Sequence, residues 1–241
     1  MFKNKHYIVT GGGSGIGRQI TMDLVSEGAI VFILGRNKKT LEKTSNSNII
    51  PIDCDVSLYD KVEKAFDGID CIDGLVNNAG INLSRKNIVD TKIEDWQDTL
   101  DTNLTGAFNC SKEAIKKMTS GSIVNIGSVA GLMGARNKIS YMVSKAGMIG
   151  LTKSLAMDFA KSNIRVNCVC PAYLSEGLPS KYLNKMSDKE YKKVIEQHPL
   201  GRLGTFKDVS NMVLFLLSDK SNWITGTIIP VDGGYSCGKE Y

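Results

Sequence analysis

HYIVTGGGSGIG, residues 6–17, is a short strand-like run that passes straight into a glycine-rich turn. His6 to Thr10 has the β-branched and aromatic composition of a strand. An amphipathic helical pattern starts as the turn ends. Gly11, Gly12, Gly13, Gly15 and Gly17, with Ser14 and Ile16 among them, let the backbone bend sharply and approach a phosphate closely. The helix that follows presents free amides and the positive end of its dipole to that phosphate. A glycine turn by itself is also compatible with a simple tight turn. Its place between a first strand and a first helix favours a dinucleotide pyrophosphate.

Outward from this unit the alternation repeats. Strand-like runs fall at 6–10, 29–34, 48–53, 72–77, 122–127, 164–170 and 227–231. Several are apolar almost throughout, as strands buried on both faces are. Longer amphipathic stretches separate most of them, including 91–118 and 139–161. The pattern predicts an α/β fold, a parallel sheet with helices on both sides in three layers. No repeat or linker interrupts it, so residues 1–241 are expected to form one domain. Helix starts are expected at three capping-box patterns, Ser57-x-x-Asp60, Thr91-x-x-Glu94 and Thr205-x-x-Asp208. Gly28 suits a helix C-terminus. The segment 172–197 is Lys-rich, holds Gly177 and Pro179, and contains a short helical pattern around 187–196. It reads as a lid or substrate loop.

Composition removes other classes. With 42% hydrophobic and 23% charged residues, the chain is neither disordered, fibrous nor a disulfide scaffold. No apolar run nears the roughly 18–20 residues of a membrane helix; the longest candidate covers 212–217. The first ten residues lack the apolar core of a secretory signal. A net charge of +5 suits an anionic ligand. The basic residues are scattered among acids, which argues against a nucleic-acid partner. Six cysteines without a CxxC pair, and two histidines, predict no metal site. Free thiols fit a reducing, cytoplasmic setting. Cys168 and Cys170 alternate as same-face residues of a strand.

The glycine spacing is T-G-x-x-x-G-x-G. It is followed in order by Asn77-Asn78-Ala79-Gly80, Asn103 within DTNLTG, Ser128 within NIGS, Tyr141-Met142-Val143-Ser144-Lys145, and Pro230-Val231-Asp232-Gly233-Gly234. Over essentially its whole length the chain resembles the short-chain dehydrogenase/reductase family. That resemblance implies a Rossmann-like doubly wound sheet of seven parallel strands in the order 3-2-1-4-5-6-7. It also implies a catalytic set of Asn103, Ser128, Tyr141 and Lys145, and hydride exchange between a nicotinamide and a carbonyl or secondary alcohol. It further implies a homotetramer built on the two long helices and the C-terminal segment; Ala114, Met148 and Leu151 are expected on their outward faces.

Chemistry supports these roles. Tyr141 and Lys145, four apart, share a helix face. Such a pair is often a plain surface pair. In this context the ammonium would favour the phenolate and bring Tyr141, with an ordinary pKa of ~10, into use as acid or base. Ser128, expected at the end of the fifth strand, would hold the substrate oxygen. The competing reading is a turn or cap serine, as read for Ser122. Asn103 falls on an apparent stripe of Ile93, Trp96, Leu100, Leu104 and Phe108. A buried amide there needs partners, either neighbouring backbone or, as the resemblance implies, a water linking the lysine to solvent.

Cofactor contacts are expected from Gly11, Gly13, Ser14, Gly15, Ile16 and Gly17. Further contacts are expected from Arg36, Asp55, Val56, Asn77, Ala79, Gly80, Tyr141, Lys145, Pro171 and Leu174. Asn77 is also read as a brace of the sheet, and Asp55 as an exposed turn acid. Gly35 stands where an acid would accept bonds from a ribose hydroxyl, and Arg36 can grip a 2′-phosphate. NADP(H) is therefore preferred, with NAD(H) the alternative. Ser14, not a basic residue, stands in the glycine loop. Ser175 can replace a hydroxyl near the cofactor, and Glu176 is expected to point away from it.

GSVAGLMG at 127–134 and PLGRLG at 199–204 resemble 3-oxoacyl-carrier-protein reductases. Against carrier-protein docking, residues 118–121 hold no basic residue and 161–163 hold Lys161 alone. Lys181, Lys185, Lys189, Lys192 and Lys193 read as a solvated lid face. A sugar, polyol or other alcohol dehydrogenase is the alternative.

Overall fold

In the computed structural model, residues 1–177 and 186–238 are described. Seven strands form one parallel sheet: β1 His6–Thr10, β2 Ile30–Gly35, β3 Ile49–Asp53, β4 Gly74–Asn77, β5 Gly121–Ile126, β6 Ile164–Pro171 and β7 Ile228–Val231. Their order is β3-β2-β1-β4-β5-β6-β7, as expected. The order reverses between β1 and β4, which opens a crevice at the strand C-termini where ligands of such sheets bind.

The helices are α1 Gly15–Ser26, α2 Lys38–Glu42, α3 Tyr59–Asp67, α4 Ile93–Leu100, α5 Gly106–Lys117, α6 Ile139–Phe159, α7 Asp188–Glu196 and α8 Phe206–Leu217. Two-residue alternation along the strands divides the core. Val9, Val31 and Ile33 pack under Ile20 and Leu24 of α1 and Val209 and Val213 of α8. Ile8, Leu34 and Leu75 point the other way, towards Val62 and Phe66 of α3 and Cys110 of α5. The sheet is thus covered on both faces, which is the doubly wound arrangement.

Gly28 ends α1 at φ +88°, and the amides of Gly28 and Ala29 close on Val25 and Leu24. The left-handed backbone there is what glycine supplies. Thr205 and Asp208 form the expected capping box of α8, and Ser187 and Glu190 form another at α7. The other two boxes do not form. Leu58 and Lys92 occupy those N-caps without a side-chain bond. The Ser57 hydroxyl is taken by Asp55 at 2.7 Å, and the Thr91 hydroxyl donates back to the Asn87 carbonyl at 2.7 Å.

The expected helix at 91–118 is broken. A π-helical turn, Asp101–Thr105, separates α4 from α5. Only the ends of the apparent apolar stripe face outward, with Ile93 75% and Phe108 51% exposed; Trp96, Leu100 and Leu104 are half-buried, and Asn103 is fully buried. Asn103 meets α6 at Ser144 and Leu104 meets it at Gly147, so the middle of the stripe and Asn103 both face α6. Ala114 and Met148, expected outside, are buried; Phe108, Val143 and Met157 are exposed instead. Ser122 is no turn serine: it lies buried in β5 and donates to the Leu216 carbonyl at 2.8 Å. Cys168 and Cys170 do share a face of β6, with their sulfurs 3.8 Å apart.

Of the expected lid, residues 178–185, including Pro179, Lys181 and Lys185, lie outside the described residues. Lys189, Lys192 and Lys193 of α7 are exposed. No helix among the described residues is long and apolar enough to cross a membrane, and no cluster among them could hold a metal ion.

Candidate active site

The glycine turn leaves the end of β1 with Gly11 at φ +66°, and its amide donates to the Leu34 carbonyl at 2.7 Å. Gly15 stands at φ +55°. A Cβ on Gly12 would run into Ile33, and one on Gly17 would collide with the Gly11 carbonyl. Close approach of turn, helix and sheet therefore requires these glycines. Ser14 is the extended N-cap of α1. Its side chain caps nothing, and no acid lies in the first turn. That helix end is electrostatically suited to an anion.

Thr10 and Asn78, which the sequence reading passed over, lock the turn to the end of β4. The Thr10 hydroxyl accepts from the amides of Asn78 and Ala79, each at 2.9 Å, and the Asn78 amide group donates to the Thr10 carbonyl at 2.8 Å. Both lie in quoted motifs, so the signal was present. Asn77 has its side chain elsewhere. It donates to Ser111 at 2.9 Å and to Asn125 at 2.8 Å, and Asn125 continues to Thr152. Asn77 thus braces α5, β4, β5 and α6, the structural one of the two roles read for it.

At the end of β2, the Arg36 guanidinium is 3.6 Å from the Asp55 carboxylate. Burial works against the Asp55 charge. Bonds from the Ser57 hydroxyl and amide, with Arg36, outweigh it and hold the carboxyl below its ordinary range. Val56 is buried against Gly106, and its carbonyl accepts from Asn109 at 3.0 Å. Pro171 ends β6. The Leu174 side chain is buried in the core, while Tyr173 and Ser175 bond through their backbones to Gly204. In a parallel bridge this turns the backbone groups of Leu174 away from Gly204. The Ser175 hydroxyl is 3.3 Å from the Gly204 carbonyl, and Glu176 is exposed.

Four chemical residues converge beside the ends of β4, β5 and β6. Tyr141 and Lys145 share the first turns of α6, with the Lys145 nitrogen 5.7 Å from the Tyr141 ring centre. That nitrogen donates to the Ile126 carbonyl at 2.7 Å. Burial pushes Lys145 down to about 8, against the opposing influence of Cys168 and Cys170. Burial likewise raises Tyr141; the Ser128 hydroxyl acts the other way, and Cys170 adds to the rise. Ser128 follows β5 as the N-cap of a 3-10 turn, Val129–Gly131, and its oxygen accepts from the Ala130 amide at 3.1 Å. It is both a cap and a neighbour of the phenol.

The Asn103 side chain accepts from the Ile81 amide at 2.7 Å and donates to the Ile81 carbonyl at 2.9 Å and to Ser144 at 3.0 Å. It therefore pins the segment after β4 to α6. A Cβ on Gly80 would stand 3.3 Å from the Asn103 oxygen and 3.7 Å from the Lys145 nitrogen. One further contact escaped sequence reading: the Lys138 nitrogen lies 3.5 Å from the Tyr173 hydroxyl.

A phenol, a buried lysine amine and a serine hydroxyl thus stand together at the crevice of a doubly wound fold. A family model described as Enoyl-(Acyl carrier protein) reductase matches residues 11–236. The chain belongs to the short-chain dehydrogenase/reductase family and is an oxidoreductase acting on alcohol or carbonyl groups. A 3-oxoacyl-acyl-carrier-protein reductase of Aquifex aeolicus is 38% identical over 246 residues, covering 96% of this chain and 97% of that protein. Among solved structures, an aldohexose dehydrogenase of Thermoplasma acidophilum has TM-score 0.90 and 36% identity, covering 99% of this chain and 96% of its own. An NAD+-bound xylitol dehydrogenase has TM-score 0.91 and 31% identity, covering 97% and 99%. The family's cofactor is a nicotinamide dinucleotide. The residues present fit one: the glycine turn is a cradle that Cβ atoms would fill, and the adjacent helix end carries no acid.

Proposed function

We propose that the protein is an NADPH-dependent reductase of 3-oxoacyl thioesters. The observation that carries the chemistry is the convergence of Tyr141, Lys145 and Ser128 in one crevice with the glycine turn. The thioester is supported by the Aquifex aeolicus relative and by the motifs at 127–134 and 199–204. The nicotinamide supplies or accepts the hydride when bound. Ser128 holds the substrate oxygen, and Tyr141 gives it a proton in reduction or takes one in oxidation. Lys145 holds positive charge beside the phenol and binds the nicotinamide ribose. Asn103 fixes the wall between the end of β4 and α6, through which the lysine reaches solvent.

The glycine turn, Ala79, Gly80, Asp55, Val56, Pro171 and Leu174 line the dinucleotide in this reading. NADPH is preferred because Gly35 bears no acid and Arg36 stands at the strand end. Asp55 shares that guanidinium, so the preference is expected to be finite. A Cβ on Gly35 meets nothing closer than Leu41 at 3.4 Å, and its φ is not positive. Gly35→Asp should therefore fold and turn the preference towards NADH by about ten-fold or more, as one charge-assisted contact would. The ratio of kcat/KM values with the two cofactors measures this; an unchanged ratio removes the β2 end from the ribose site.

Residues 1–241 form one domain in this reading, with the segment at about 172–197 as a substrate lid. It assembles as a homotetramer through α4, α5, α6 and the C-terminal segment. Support comes from exposed Ile93, Phe108, Met157 and Trp223, which a monomer would leave in water. A carrier-protein partner is not favoured by Lys161 alone. The second reading, a sugar or polyol dehydrogenase, draws on the aldohexose and xylitol dehydrogenase likenesses. The test follows NADPH absorbance with an acetoacetyl thioester beside NADP+ with aldoses and xylitol. Thioester-dependent loss of NADPH is expected. Silence there with turnover of a sugar would overturn the thioester reading.

A further inference from the structure

We propose that Lys138 and Tyr173 form a subsite for an anionic group of the substrate, so that a short carbonyl compound carrying such a group is preferred to its neutral counterpart. This rests on the Tyr141-centred chemistry proposed above and not on the thioester.

Lys138 immediately precedes α6 and lies one helical turn before Tyr141. Its nitrogen is 3.5 Å from the Tyr173 hydroxyl and 5.4 Å from the centre of the Tyr173 ring. Tyr173 comes two residues after the end of β6. Edge contacts with His198 and Tyr235, at 6.1 and 5.7 Å between ring centres, hold it in place. The ammonium thus bridges the start of α6 and the exit of β6, the two elements whose ends flank the crevice holding Tyr141.

Its charge is met by the Tyr173 ring and hydroxyl. Lys138 is partly buried, and no carboxylate among the described residues lies within ion-pair distance of it. It stands at the positive end of a 21-residue helix whose first turn holds no acid. A cation there is opposed by the helix dipole and by partial desolvation. A lysine with no further role would swing its flexible stem to water. Here it lies against the Tyr173 hydroxyl, which can accept from the ammonium and still donate a proton elsewhere. An anion between the two groups would take a charge-assisted bond from the ammonium and a second bond from the phenol. Carboxylate and phosphate share this chemistry.

The test compares acetoacetate, 2-oxopropylphosphonate and neutral methyl acetoacetate as NADPH-dependent substrates of the wild-type protein, Lys138→Met and Lys138→Arg. The wild type should favour one anionic ketone over the ester. Lys138→Met should cut that preference by about ten-fold or more through KM, the scale of one charge-assisted bond. Lys138→Arg should restore part of it. A larger effect on acetoacetate assigns a carboxylate, and a larger effect on the phosphonate assigns a phosphate. Equal use of ester and anion, or an unchanged ratio in Lys138→Met, overturns the subsite while leaving the Tyr141 chemistry intact. If no ketone is reduced, that chemistry has failed instead. The subsite is then read from the Tm shift that acetoacetate or 2-oxopropylphosphonate gives with NADP+ present. A shift in the wild type that Lys138→Met loses supports the subsite, and no shift, or an equal one, overturns it.

Discussion

Tyr141→Phe is expected to lower kcat/KM by about a hundred- to ten-thousand-fold, the range attributed to a positioned acid or base. The Tyr141 phenol is held above its ordinary pKa chiefly by burial, with Ser128 opposing and Cys170 adding to the rise. In the proposed carbonyl reduction it would therefore arrive protonated and serve as the acid. Phenylalanine keeps the ring against which Lys145 packs and removes the proton. NADPH affinity should stay within about two-fold, because the loss falls on the transition state and not on ground-state binding. Stopped turnover with intact NADPH binding is the expected pair of results. Substantial turnover by the variant would take the proton-donor role away from Tyr141.

The second large effect is at Gly17. A methyl group there meets the Gly11 carbonyl and the Asn78 side chain, both of which are fixed. Asn78 is tied to the Thr10 carbonyl, and Gly11 to Leu34. Neither can move without opening the junction of β1, β4 and α1. Gly17→Ala should cost about 1–3 kcal/mol, the usual cost of overpacking. At about 2–4 °C per kcal/mol for a chain of this size, Tm should fall by several degrees. It should also weaken NADPH binding, since α1 is pushed off the turn proposed to hold the phosphates. A melting curve and a titration with NADPH measure both. A variant with wild-type Tm and affinity would show that the helix can retreat without disturbing the turn.

Period and punctuation made much of the fold readable. β1 has the expected bounds, and the sheet order is as anticipated. Gly28 and the Thr205 box worked because glycine chemistry and capping are local. The failures share a cause. Ser57 and Thr91 have capping chemistry, but nearer partners, Asp55 and the Asn87 carbonyl, claim their hydroxyls. The bracing role of Asn77 was anticipated, but not its partners, Ser111 and Asn125, 34 and 48 residues away. Lys138 and Tyr173 are 35 residues apart and meet across two elements. Tertiary encounters of this kind leave no spacing to read.

The π-helical turn at Asp101–Thr105 bears on how such a chain could change over time. A π turn holds one residue more than the α-helical ladder accommodates, in effect an insertion that was absorbed instead of expelled. The Gly106 amide reaches back to Asp101, and the surplus residue widens the helix where Asn103 turns inward. Loss of one residue there would give a more regular helix by every local criterion. It would also rotate α4 by about a hundred degrees relative to α5. Selection on the Asn103–Ile81 clasp would then keep in place an irregularity that helix formation alone would remove.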